Sequence, residues 1–195
     1  RFTSACGAGI YRDELFGPNF SASYFVCEPV HNLVHHEVMS PKGVTFTGNR
    51  PAGREKAEFL ASSDNWFRPT QVRTGPDGAL WVVDMYRFVI EHPEWIPKDW
   101  QQRLDLRAGH DKGRIYRIYP VHSRPRTITP VDRLDSAALA AILESPNGPQ
   151  RDLAHQLLIE RQDKSAVPVL EKLVNHSSRA ASRVQALCAL DGLGA

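Results

Sequence analysis

Two hydrophobic periodicities divide the chain near residue 120. Before it, short runs of β-branched and aromatic residues are punctuated by Gly, Pro, Asn and Asp. This pattern predicts strands over 8–12, 24–28, 32–39, 44–47, 70–74, 79–85 and 114–119. The clearest stretch is 62–87, SSDNWFRPTQVRTGPDGALWVVDMYR, two strand-forming runs joined by a Gly-Pro-Asp-Gly turn. In its second run Leu80, Val82, Asp84 and Tyr86 point one way, and Trp81, Val83 and Met85 the other. Bulky side chains on both faces predict a strand covered on both sides, as the stacked sheets of a β-propeller provide. Residues 88–106, with their prolines and two tryptophans, read as a long insertion holding one helical turn.

After Pro130 apolar residues recur at the helical period. Leu139, Ile142 and Leu143 share a face, as do Leu153, Ala154, Leu157 and Leu158, then Leu170, Leu173 and Val174, then Val184, Leu187, Cys188 and Leu190. Four helices are predicted, bounded by Asp135 or Ser136 as a cap, the Asn147-Gly148-Pro149 break, Pro168 in a first turn and Gly192 as a stop. Leu139, Ile142 and Leu143 recur as Leu170, Leu173 and Val174. Arg151, Ala154, Leu157 and Leu158 recur as Arg183, Ala186, Ala189 and Leu190, a helix-pair array of about 31 residues per unit. The expected fold class is mixed, all-β then all-α: the last two or three blades of a β-propeller over 1–120, a linker over 121–129 rich in Arg, Pro and Thr, and incomplete helical repeats over 130–195. Two repeats and an open propeller mark the chain as an expected internal fragment of something longer, consistent with its lack of an initiating Met.

Charge and cysteine usage add little but exclude some partners. With 24 basic and 22 acidic residues, the chain offers no bulk electrostatic reason to bind nucleic acid. No apolar run reaches the roughly 20 residues that span a bilayer. Cys6 and Cys27 lie in strand-like segments whose separation lets neighbouring antiparallel strands set them opposite each other, as a disulfide or as two buried thiols. A bridge there implies an oxidising compartment. Cys188 reads as helix core. His31, His35 and His36 could bring at most two imidazoles to one face of a strand, so exposed or edge-strand histidines are expected rather than a metal site. Asp77-Gly78 is a hairpin turn signal.

The elements SACGAGIYRDELFG, FVCEPVHNLVHHEV, EFLASSDNWFRPTQVRTGPDGALWVVDMYR, IEHPEWIP, GHDKGRIYRIYP and SPNGPQRDLAHQLL carry a resemblance over nearly the whole chain. The sequence resembles the PVC-type membrane-bound dehydrogenase family of bacteria. That resemblance implies a propeller similar to the sorbosone and soluble glucose dehydrogenases, HEAT-like repeats after it, and often a cytochrome c domain. It further implies an exported or periplasmic quinoprotein-like enzyme, membrane-associated through other segments, that oxidises a sugar or alcohol and passes electrons to cytochrome c. The cofactors implied for the full-length protein are pyrroloquinoline quinone and calcium. No Cys-x-x-Cys-His is present, so this sequence holds no c-type haem site.

On this resemblance Arg68, Asp84, Arg87, His110 and Asp111 are the candidates for the channel. Arginine presents a planar fork of donors suited to a quinone's carboxylates, and His110 is the candidate base that takes a proton from a substrate alcohol. The competing reading makes Arg68, Asp84 and Arg87 a structural ion-pair network between blades. A different class of function also stands: a non-catalytic propeller and helical-repeat module that binds a glycan or a protein. Trp95 and Trp100 in the insertion are the contact candidates for that role, whereas Trp81 reads as blade core.

Overall fold

The computed structural model describes residues 2–195 and contains antiparallel sheets followed by C-terminal helices. Two compact units result: a β unit of the residues up to Tyr11, Phe16–Thr74 and Ala79–Pro120, and a helical unit of Arg12–Leu15, Gly75–Gly78 and Val121–Ala195.

In the β unit, β1 (Cys6–Ile10), β2 (Ser23–Glu28), β3 (Leu33–Lys42) and β4 (Thr45–Asn49) form an antiparallel meander, and β5 (Leu60–Ala61) pairs with the start of β3. A second sheet orders β6 (Pro69–Thr74), β7 (Leu80–Asp84) and β8 (Arg114–Ile118). Seven of these strands fall where the alternation of apolar and turn residues predicts them. The two-residue β5 carries no periodic signal, and Val44, expected in a strand, instead sits fully exposed at the tip of the tight turn between β3 and β4. The core gathers Tyr11, Phe25, Cys27, Val34, Val72, Leu80 and Val82, with Phe16, Phe20 and Phe59 packed against it.

The covering of β7 on both faces is corrected. Leu80, Val82 and Asp84 are buried, but Trp81 and Val83 are only partly so and Met85 is exposed. The outer face of the second sheet is therefore only partly shielded. β1 approaches β6 closely because it carries glycines: at Gly9 a Cβ would lie 2.7 Å from the Val72 carbonyl oxygen, and at Gly7, where φ is 57°, it would collide with the Thr70 carbonyl. A side chain at either position would push the two sheets apart.

Burial also overturns the expectation for the histidines of β3. His35 is buried, with Nδ1 2.7 Å from Glu58 and Nε2 3.3 Å from Glu37. His36 is stacked between Phe20 and Phe25 and its Nε2 lies 2.7 Å from the Ser23 hydroxyl. His31 lies in the turn before β3, half-exposed, 3.4 Å from Glu28. Among the described residues no group of three or more His, Cys, Asp or Glu side chains is placed to hold a metal ion.

The helical unit is built from α2 (Ser136–Ile142), α3 (Gly148–Arg161), α4 (Val167–His176) and α5 (Ala180–Gly192), after a single turn, α1 (Lys98–Gln101), in the β unit's insertion. Asp135 caps α2 by accepting from the Ala138 amide, and Asn147 caps α3 by accepting from the Gln150 amide. The Asn147 side-chain amide also donates to Asp13 at 2.7 Å and to the Gly75 carbonyl at 2.8 Å, so both short segments of this unit are fastened to the start of α3. Leu139, Leu143, Ala154, Leu158, Leu170, Ala186 and Ala189 form the core. The α5 expectation is corrected: Val184 and Leu187 are 60% and 59% exposed and Cys188 is exposed. The buried stripe is Ser182, Ala186 and Ala189, small residues that permit close approach, with the Ser182 hydroxyl donating to the Leu143 carbonyl at 2.5 Å. Leu153 likewise faces outward from α3. No helix among the described residues is long and apolar enough to cross a membrane.

Two outcomes are expected. Gly7→Ala should cost about 3 kcal/mol of stability through overpacking and left-handed strain, read as a lower urea midpoint; an unchanged midpoint would show that β1 and β6 are not packed this tightly. His36 is pushed below its ordinary pKa by burial first, then by His35 and Arg54. The folded chain thus takes up this proton less readily than the unfolded one, so stability is full above about pH 6.5 and is lost as pH falls below it. Urea midpoints should drop between pH 7 and 5, and drop less steeply in His36→Gln.

Candidate functional site

Asp84 ends β7 with its carboxylate buried. Its Oδ1 accepts the backbone N–H of Arg68 and of Tyr86, each at 2.8 Å, closing the chain ahead of β6 against the chain leaving β7. Tyr86 takes a left-handed φ of 50°, which turns the chain so that both amides converge on one oxygen. Oδ2 makes no hydrogen bond and lies 3.7 Å from Arg114 Nε, while the Arg114 guanidinium covers the Tyr86 ring at 3.5 Å.

Arg68 is committed to main-chain oxygens. Its Nε donates to the Arg87 carbonyl at 3.0 Å, Nη1 to Pro29 at 2.8 Å and Nη2 to Phe88 at 3.2 Å. Burial draws its pKa below the ordinary value, countered by the charges of Asp64 and Asp84. Arg87 donates through Nη2 to the Leu106 carbonyl at 3.2 Å, and its buried Nε has no hydrogen-bond partner. Gly109, with φ of 86°, lets the 105–111 loop press on the Tyr86 carbonyl, where a Cβ would collide.

The structure therefore brings Arg68, Asp84 and Arg87 together and ties them mainly to backbone. His110 and Asp111 are exposed; His110 Nδ1 lies 3.2 Å from the Arg107 carbonyl of its own loop, and neither residue makes a hydrogen bond or ion pair with the other three. Arg68 does not fit a carboxylate clamp for pyrroloquinoline quinone, which needs guanidinium edges turned outward, because its Nε, Nη1 and Nη2 all meet carbonyls of the chain itself; Arg87 engages a carbonyl through Nη2 and keeps its buried Nε unpartnered.

One feature of this region has no periodic signature. Glu28, at the end of β2, is buried and accepts the Ser4 amide at 3.0 Å, as Asp84 at the end of β7 accepts the Arg68 amide. Each leaves one carboxylate oxygen without a hydrogen bond. The two sheets thus repeat a device: a carboxylate ending the second strand anchors the chain ahead of the first. The recurrence of an acidic residue where each second strand ends, Glu28-Pro29 and Asp84-Met85, was its available signal.

The insertion offers a different surface. A turn over Pro93–Trp95 and α1 are locked together by the Gln101 side chain, whose Nε2 donates to the Pro93 and Ile96 carbonyls, both at 2.7 Å. The concavity here, about 540 Å³, is lined by Glu94, Trp95, Lys98 and Gln101 among others. Trp95 is 77% exposed and Trp100 57%.

The family described as Domain of unknown function (DUF7133) matches residues 1–122, well over half of the sequence, and this chain belongs to it. No curated protein and no solved structure matches the chain.

If Asp84 and Arg68 are braces, their loss should appear as stability. Asp84→Ala leaves two amides unpaired and should cost about 3 kcal/mol, and Arg68→Ala about 2 kcal/mol, whereas His110→Ala should stay within about 0.5 kcal/mol. Urea unfolding of the three variants checks this; equal midpoints for all would contradict it.

Proposed function

We propose that this chain belongs to a non-catalytic propeller and helical-repeat module that holds a glycan at the Trp95 loop. The observation that carries the reading is a large, exposed indole on a preorganised loop. A tryptophan left mostly in water is stabilised when an apolar sugar face stacks on it, and a loop already locked by Gln101 loses little entropy on binding. Glu94 and Lys98 line the same concavity as Trp95 and can exchange hydrogen bonds with sugar hydroxyls.

Two further features support the architecture in this reading. Antiparallel meanders whose first strands β1 and β6 pack together, each closed by a buried carboxylate, suit neighbouring blades of a propeller. The successive helix pairs α2/α3 and α4/α5 suit HEAT-like repeats. A quinoprotein-like dehydrogenase would have to draw its cofactor contacts from residues other than Arg68, whose donors are engaged within the fold.

Titration with a panel of neutral oligosaccharides, followed by tryptophan fluorescence, tests the proposal. Saturable quenching by at least one sugar is expected, with affinity falling tenfold or more in Trp95→Ala, a loss of about 1.4 kcal/mol. Absence of quenching across the panel, or equal affinity in the variant, would overturn it.

A further inference from the structure

We propose that Cys6 and Cys27 are an oxidisable pair that closes to a cross-strand disulfide between β1 and β2. Both are free thiols in the structure, and the register sets them directly opposite each other. Directly opposed residues of an antiparallel pair have Cα atoms about 4.5–5.5 Å apart, inside the roughly 4.4–6.8 Å that a disulfide bridges. The register shifts between Cys6 and Gly9, so the backbone next to Cys6 is released from the ladder and can adjust as the bond forms. Cys27 is fully buried, whereas Cys6 is partly exposed, with its Sγ 4.0 Å from the Pro69 carbonyl. Cys6 is the thiol that a solvent reagent can reach.

Oxidation by a small disulfide such as oxidised glutathione then proceeds in two exchanges. The Cys6 thiolate attacks one glutathione sulfur, forming a mixed disulfide and expelling one glutathione thiolate. Cys27 gives its proton to water and attacks Cys6 Sγ, expelling the second glutathione thiolate. Two protein thiols are oxidised and one glutathione disulfide is reduced to two thiols. Burial first, and the neighbouring Cys6 second, push the Cys27 thiol up to about 12. Burial and Glu28 raise Cys6 as well. The closing step is therefore slow at neutral pH and accelerates as pH rises.

The test uses the full chain with the exposed Cys188 changed to Ser, incubated natively at pH 8.5 with oxidised glutathione, then alkylated and digested with trypsin, which cuts between the two cysteines at Arg12. The expected product is a linked Cys6–Cys27 peptide pair, formed faster at higher pH, reversed by dithiothreitol and accompanied by a rise of several degrees in Tm. Recovery of both cysteines alkylated, or of Cys6 carrying glutathione with Cys27 alkylated after prolonged incubation, would overturn the proposal. Because the readout is made on the intact pair, it does not depend on any variant of Cys6 or Cys27 folding.

Discussion

A single buried carboxylate fixes the geometry of the second sheet at its functional-looking end. The Asp84 side chain is fully buried, and its Oδ1 is satisfied by two main-chain amides that are sixteen residues and two residues away. A buried charge is tolerated only when hydrogen bonds replace its hydration. Here those bonds also determine where β6 begins and where the chain turns after β7. Arg68, positioned by that same contact, carries its guanidinium to three carbonyls on two other segments. Glu28 repeats the arrangement in the first sheet. What looks from composition like a cluster of catalytic charges is, in its bonding, the frame of the β unit.

Around this frame, closeness is achieved by omission of side chains. Gly7 and Gly9 let β1 meet the carbonyls of β6, and Gly109 lets its loop meet Tyr86. In the helical unit Ser182, Ala186 and Ala189 do the same work for α5, while its bulkier Val184 and Leu187 point outward. These sites tolerate little added volume, since each approaches backbone or packed core rather than the flexible end of a side chain.

The strand and helix positions were legible because alternation and capping are local. Asp135 and Asn147 cap the helices they mark, and the strands at 70–74 and 114–119 fall within a residue of their observed bounds. The proximity of Arg68, Asp84 and Arg87 was also foreseeable, as was their structural alternative. What escaped depends on contacts distant in sequence. His35 and His36 look like exposed edge residues until Glu58, Phe20 and Phe25 are brought to them. Of the four α5 residues expected on the buried face, Leu190 packs against the core but Val184, Leu187 and Cys188 face outward, and the fully buried positions are the small Ser182, Ala186 and Ala189. Segments 12–15 and 75–78 lie within the sequence of the β region, but Asn147 holds Asp13 and Gly75 within the helical unit.

Amide hydrogen exchange at Arg68 and Tyr86 in the native chain shows whether the Asp84 cluster is a structural frame. Both N–H groups donate to one buried oxygen, so both should exchange only through opening of the whole β unit, as slowly as the amides of β7. Rapid exchange at these two positions, with β7 protected, would mean that Asp84 does not hold them and that its carboxylate is free for other chemistry.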